Sequence, residues 1–368
     1  MKTERQAEAQ RLFAQTGNKA EVARILGVDE CVVRRLLIRA EKHDALDPAF
    51  ADAMQAVNTN VVPSGMWVKT KATEDTPGYS VYLRTEQASP ESLADAIREA
   101  MADLPPLPEV AHPGAAPARC VVFPLADLHI GLLTDEGETG ENWDSKKAVA
   151  KFADVFNELV GCSPQAERCI IAQLGDLLHV NDQTNLTSSG HQLDADTRFF
   201  VILRRAVQAM KMAIEITRRK YPHVTYVGRR GNHDRDAHVA VTVALAERYE
   251  EVKGVHIVQN DADLHVEEYG RNMLVLHHGD RVKPQSLGHF VPAQYPEIWG
   301  RTKYRMALSG HIHHMRSQEV GGLLCESVGT FIPRDAYAVS HGYWAQRALV
   351  SITLDPERGE VGRVRVAV

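Results

Sequence analysis

Five short apolar runs in the last two-thirds of the chain share one design, and that design limits the possible folds. They are "RCVVFPLADLH", "RCIIAQLGDLLH", "HVTYVGRRGNHD", "NMLVLHHGD" and "YRMALSGHIHH". Each has the length and apolar, β-branched content of a buried strand, and each stops in polar side chains able to hold a metal. Between them lie amphipathic helical stretches such as "SKKAVAKFADVFNELV" and "RFFVILRRAVQAMKMAIEITRRK". Such alternation predicts a layered α/β domain, with chemistry gathered at the C-terminal ends of the strands. The closing segment "RALVSITLDPERGEVGRVRVAV" reads as a β-hairpin that completes a mixed sheet or a second sheet.

The strand ends offer Asp127 and His129; Asp176 and His179; Asn232, His233 and Asp234; His277 and His278; and His311, His313 and His314. In an extended segment residues i and i+2 point the same way, so Asp-x-His and His-x-His can each grip one ion. Carboxylate, amide and imidazole donors without a thiolate suit Mn, Fe or Zn better than Ca. Five cysteines with no C-x-x-C pair speak against a disulfide framework and a thiolate zinc site.

The front of the chain differs. "TGNKAEVARILGVDECVVRRLLIRAEK" reads as two helices around a turn, with Asn18 capping the first, Gly27 turning the chain and Asp29 capping the second. The pattern resembles a helix-turn-helix, with Val22, Leu26, Val28 and Leu36 inside and Arg34, Arg35 and Arg39 available to DNA. A small helical or protein-docking module is the competing reading, because Asp29 and Glu30 would repel phosphate. Residues 64–86 suggest a hairpin or wing, and "ASPESLADAIREAMADL" a capped helix. "PPLPEVAHPGAAPA" is a Pro/Ala-rich linker. The expected organisation is a helix-turn-helix-like module at 1–45, a hairpin and helix or connector at 46–104, the linker at 105–118, and a catalytic domain at 119–368. A net charge of −6 excludes a globally basic nucleic-acid footprint, so DNA contact needs a local patch. The charged first residues are no signal peptide, and no apolar run of membrane-spanning length occurs. A cytoplasmic protein, of a bacterium or a phage-infected cell, is expected.

Taken in order, D-x-H, G-D, G-N-H-D, H and G-H-x-H resemble the signature of the calcineurin-like metallophosphoesterases, from Asp127 to His313. That resemblance implies a four-layer α/β/β/α sandwich and a two-metal centre. Asp127, His129 and His313 would hold one ion, Asn232, His278 and His311 the other, with Asp176 bridging. Mn is foremost, and Fe, Zn or Ni also fit. His233 would act at the phosphate, and Asp234 would orient it or cap the turn. Two such cations about 3.5–4 Å apart produce a hydroxide for in-line attack on phosphorus. The G-D-x-x-H form at Asp176–His179 looks like SbcD-type nucleases and makes His179 a further catalytic candidate, or a histidine holding a ligand.

The implied function is a phosphodiesterase hydrolysing DNA. The alternatives are a phosphomonoesterase or small-nucleotide phosphodiesterase whose N-terminus docks a protein, or a DNA-binding regulator that has lost catalysis. A homodimer is a further possibility. Arg198, Arg281 and Lys283 are candidate phosphate contacts, although Asp194 or Asp196 could instead cap the helix beside Arg198. Arg334, Asp335 and His341 follow a late strand that runs toward the same end. A helix-turn-helix-like segment before a phosphoesterase also resembles phage and prophage architectures.

Overall fold

A computed structural model describes residues 4–28, 32–34, 36–37, 65–69, 80–84, 107–112, 114–186 and 192–368. The chain divides into two compact units, Met1–Ser89 and Pro90–Val368.

The first unit opens with α1 (Glu4–Thr16) and α2 (Lys19–Leu26). Asn18 caps α2, its side chain accepting from Ala20 N and Glu21 N. Gly27 ends the helix in the left-handed region, where glycine pays no steric penalty. Ala9, Leu12, Val22, Ala23, Val33 and Leu37 form a small apolar core. The strands β1 (Gly65–Lys69) and β2 (Ser80–Arg84) pair antiparallel. Asp29, Arg35 and Arg39 and the expected helix at 88–104 lie outside the described residues.

The second unit runs β3 (Cys120–Leu125), α3 (Glu136–Thr139), α4 (Ser145–Cys162), β4 (Arg168–Leu174), α5 (Phe199–Arg218), β5 (His223–Arg229) and α6 (Ala237–Tyr249). It continues through β6 (Val255–Ile257), β7 (Leu264–Tyr269), β8 (Asn272–His277), α7 (Pro284–Gln294), α8 (Pro296–Arg301), β9 (Tyr304–Ser309), β10 (Arg316–Val320) and β11 (Leu323–Ser327). It ends with α9 (Ala336–Ser340), β12 (Ala348–Asp355) and β13 (Gly359–Ala367).

Two sheets result, ordered β13-β12-β3-β4-β5-β6 and β10-β11-β9-β8-β7. In the first, β3 to β6 are parallel and the β12–β13 hairpin closes one edge antiparallel. In the second, β8, β9 and β11 are parallel, flanked by antiparallel β7 and β10.

Alternation along the strands sets the layers. Val121, Phe123, Cys169 and Ile171 face Phe152, Phe156, Met210 and Val241 on α4, α5 and α6. Their neighbours Val122, Ile170, Ala172 and Leu174 face Leu274, Leu276, Met306 and Leu308 of the second sheet. The other side of that sheet, with Met273, Val275 and Ala307, packs on Leu287, Val291 and Trp299 from α7 and α8. Helices, sheet, sheet and helices therefore stack in four layers, the α/β/β/α sandwich expected from the sequence. No helix among the described residues is long and apolar enough to cross a membrane.

The helix after Arg198 differs from expectation in its start. Arg198 occupies the N-cap of α5 without a side-chain cap. Asp196 instead accepts hydrogen bonds from Ser145 N and Oγ at the start of α4 and pairs with Arg205. Neither Asp194 nor Asp196 caps α5, because Asp196 ties α4 to α5.

Candidate metal centre

Five parallel strands, three from one sheet and two from the other, end at one place. The segments leaving β3, β4, β5, β8 and β9 carry Asp127 and His129, Asp176, Asn232 and His233, His278, and His311 and His313. Among the described residues, six non-glycine side chains sit at positive φ, and five of them are here: Asp127, His129, Asp176, His311 and His313. Such backbone costs about 1–3 kcal/mol per residue and clusters at functional sites. Gly175, at φ 93°, allows a still closer approach, since a Cβ there would lie 2.4 Å from His278 Nδ1.

Three groups of donor atoms form: Asp127, His129 and His313; Asp176, His278 and His311; and His129, His179 and His233. In the first, His129 Nε2 lies 3.2 Å from His313 Nε2, and His313 Nε2 lies 3.7 Å from Asp127 Oδ1. In the second, His278 Nε2 is 3.2 Å from Asp176 Oδ2 and 3.0 Å from Asn232 Oδ1. Asp176 Oδ2 is also 3.8 Å from His129 Nε2, so one carboxylate touches both groups. Ligands bonded to an ion at about 2.1 Å sit roughly 3.0–3.6 Å from one another. The closer separations, 3.0–3.2 Å, fall in this range and those of 3.7 and 3.8 Å lie just beyond it, and the nitrogen and oxygen donors fit divalent Mn, Fe or Zn.

Supporting contacts fix these groups. The Asp127 carboxylate accepts from His311 N, and Asp176 Oδ1 accepts from His233 N at 2.8 Å. His278 Nδ1 meets Leu174 O at 2.9 Å, which leaves Nε2 for the site. His233 Nδ1 likewise meets the carbonyl of His179 at 2.9 Å, so its Nε2 is the atom free to act. The His179 ring backs His129, with Nδ1 atoms 3.3 Å apart. His179 thus reaches His233 through its backbone and the donor set through its side chain.

Asp234 is fully buried, its carboxylate accepting from Gly231 N and Leu178 N. This geometry is the turn-capping one, and it binds the β5 loop to the β4 loop. Burial and the nearby Asp176 charge push its pKa up to about 6.

Charge is balanced tightly. Burial would raise Asp176, but the His278, His129 and His233 imidazoles hold it well below the carboxylate range. Burial likewise lowers His278, yet Asp176 and Asp127 outweigh that and lift it to about 10. Burial and the neighbouring His233 press His179 down to about 3, and they keep His129 low as well. The pocket thus sets an ionised Asp176 among imidazoles, whereas burial pushes Asp127 up, a cost that a bound cation would relieve.

The centre opens into a cavity of about 920 Å³. His129, Asp176, Asn232, His233, His311 and His313 line one wall. Arg198, Arg281 and Lys283 do not line it. Arg198 and Lys283 are exposed at the starts of α5 and α7, and Arg281 is drawn to Asp263 at 3.3 Å and Asp280 at 3.8 Å. Gly279, just after His278, takes the left-handed conformation at φ 113°. The lining also includes the connection between β11 and β12, with Arg334, Tyr337, Tyr343 and Trp344. Arg334 and Asp335 do reach the cavity, whereas the aromatic residues carry no metal chemistry that would mark them in the sequence.

No family model and no curated protein matches the chain. Several solved structures do. A dimetal phosphatase from Danio rerio is 10% identical with a TM-score of 0.34, covering 67% of this chain and 98% of its own. Vacuolar Protein Sorting 29 from Cryptosporidium parvum is 15% identical, TM-score 0.32, covering 68% and 100%. YfcE, a phosphoesterase from E. coli, is 14% identical, TM-score 0.30, covering 66% and 98%. Likeness of this degree assigns no activity, and the chemistry follows from the side chains of this chain.

Proposed function

We propose that the protein is a metal-dependent phosphoesterase, and specifically a phosphodiesterase that hydrolyses DNA. One observation carries the reading: the Asp176 carboxylate lies between two donor groups, 3.2 Å from His278 Nε2 and 3.8 Å from His129 Nε2, at the floor of an open cavity. Asp127, His129 and His313 would hold one divalent cation, Asn232, His278 and His311 a second, and Asp176 both. Such a pair supplies an activated water and neutralises charge on a phosphate.

The chain's own residues supply the rest. His233, fixed through Nδ1, presents Nε2 to the cavity and, when protonated, gives its proton to the departing alkoxide. His179 sets that orientation through its carbonyl. Asp234 holds the turn that aims Asn232 and His233. The resemblance of the G-D-x-x-H stretch at Asp176 to His179 to SbcD-type nucleases favours a diester over a monoester, and the cavity is large enough for more than one nucleotide.

The test compares the purified protein, loaded with Mn, on bis-p-nitrophenyl phosphate, p-nitrophenyl phosphate, and single- and double-stranded DNA, with bound metal counted by mass spectrometry. Diester and DNA cleavage with about two ions per chain are expected. Cleavage of the monoester alone, or hydrolysis unaffected by Asp176→Asn, refutes the reading.

A further inference from the structure

Among the described residues five large aromatic side chains are exposed, Phe200 at 66% on α5, Phe290 at 46% on α7, and three between β11 and β12. Among the described residues, the exposed tyrosines and tryptophan are Tyr337 at 62%, Tyr343 at 58% and Trp344 at 74%. All three line the cavity that the histidine cluster also lines. Monomeric surfaces leave single apolar residues exposed without consequence, but three exposed aromatic side chains lining one cavity mark a binding surface.

Hydrogen bonds and ring contacts hold the wall together. Asp335 caps α9 through Ala338 N, and Tyr343 N donates to Ala338 O at 2.8 Å, folding the segment back on itself. The rings of Tyr337 and His341 lie 4.1 Å apart, and His341 stacks on Tyr343 at 5.7 Å. The Arg334 guanidinium covers Trp344 at 4.5 Å and reaches Thr139 O, so a cation sits beside an aromatic face inside the cavity. Arg347 lies over Trp143 at 4.8 Å and is bound to Glu141 and Phe331 O, which anchors the base of the wall.

We infer that this wall is a nucleobase platform: Trp344 and Tyr343 stack a base of the nucleotide whose phosphate occupies the metal centre, and Arg334 steadies the phosphate or sugar next to it. The inference rests on the phosphodiester reading of the site and names its substrate more narrowly, as an unpaired nucleotide. A paired base has both faces occupied by its neighbours, whereas a splayed base can lie on an aromatic ring. Stacking of this kind is tolerant of base identity, because every base has a π-face. A cation beside the rings suits a ligand that joins an aromatic group to an anion.

The test separates the platform from the chemistry. Binding is measured by equilibrium titration with the full-length protein in EDTA, using hexathymidylate, an abasic hexamer of the same charge, and thymidine 3′,5′-bisphosphate. Base-containing ligands are expected to bind at least about tenfold tighter than the abasic strand. Trp344→Ala should remove that difference and Trp344→Phe should restore most of it. Being exposed, Trp344 can be replaced without opening the core. Bisphosphate bound as tightly as the hexamer makes a free nucleotide the source; a tighter hexamer makes it a strand. Equal affinity for thymidylate and abasic strands, or a preference that survives Trp344→Ala, overturns the inference. Loss of hydrolysis without loss of base-dependent binding would instead refute only the metal-centre reading.

Discussion

Gly231 offers a sharp test, because nothing in its own conformation demands glycine. It is absent from the positive-φ glycines, so alanine is locally permitted. The obstacle is space. A Cβ at this position would lie 1.9 Å from Asp176 Oδ1, 2.6 Å from its Cγ and 2.4 Å from its backbone nitrogen. The carboxylate cannot swing aside freely, since it accepts from His233 N and faces His278. For an ordinary contact of about 3.4 Å, the backbone nitrogen and the β5 loop must separate by about 1 Å. Overpacking of this kind costs about 1–3 kcal/mol. In a domain of this size that lowers Tm by roughly 2–10 °C. The displaced loop carries Asn232 and His233, and a misplacement of about 1 Å costs on the order of 100-fold in rate. Gly231→Ala should therefore remain folded, melt a few degrees lower, and lose about two orders of magnitude in kcat/KM on bis-p-nitrophenyl phosphate. Melting by circular dichroism and steady-state kinetics measure both. A variant within threefold of the parent activity, at unchanged Tm, would show that the two loops do not pack this closely and would undo the bridging role given to Asp176.

Other outcomes follow from the same geometry. His233→Ala should lower kcat by about 10²–10⁴ while metal content stays unchanged; a loss of bound metal would place His233 among the ligands instead. Mn or Zn at 100 times its Kd should stabilise the fold by about 2.7 kcal/mol over the EDTA-treated protein, read as a rise in Tm, and Asp176→Asn should abolish most of that rise. Burial lifts the Cys120 thiol from 9.0 to about 12. It should resist Ellman's reagent in the native state at pH 8, while the exposed Cys162 reacts. Because the folded protein holds that proton more tightly than the unfolded chain, the stability it contributes is complete below pH 9 and lost as pH climbs toward 12, which denaturant titration across that range would reveal.

The strand ends were legible because their information is local. Asp-x-His or Gly-Asn-His-Asp after an apolar run states both the place in the fold and the chemistry within a dozen residues. The four layers were legible only through the family resemblance, since Val121–Leu125 and Cys169–Leu174 are apolar on both faces and do not say which face meets helices and which a second sheet. Long-range geometry was not. Arg281 follows a predicted ligand by three residues, yet it pairs with Asp263 and Asp280 and does not line the cavity. Trp344 lies 66 residues beyond His278 in sequence and still faces the cavity, because the β11–β12 connection folds back over the strand ends. Asp196 illustrates a third limit, since a capping residue can serve a helix remote in sequence, here Ser145 at the start of α4.

The donor set is drawn from both sheets, with Asp127, His129, Asp176 and Asn232 after strands of one and His278, His311 and His313 after strands of the other. Neither sheet alone owns a full coordination shell. A slip of one residue where the sheets meet would therefore leave apolar packing largely tolerable but pull the two half-sets out of reach of each other. Cation uptake during refolding should accordingly lag behind secondary structure and coincide with sheet docking, so that a cation held by both half-sets would report correct tertiary assembly.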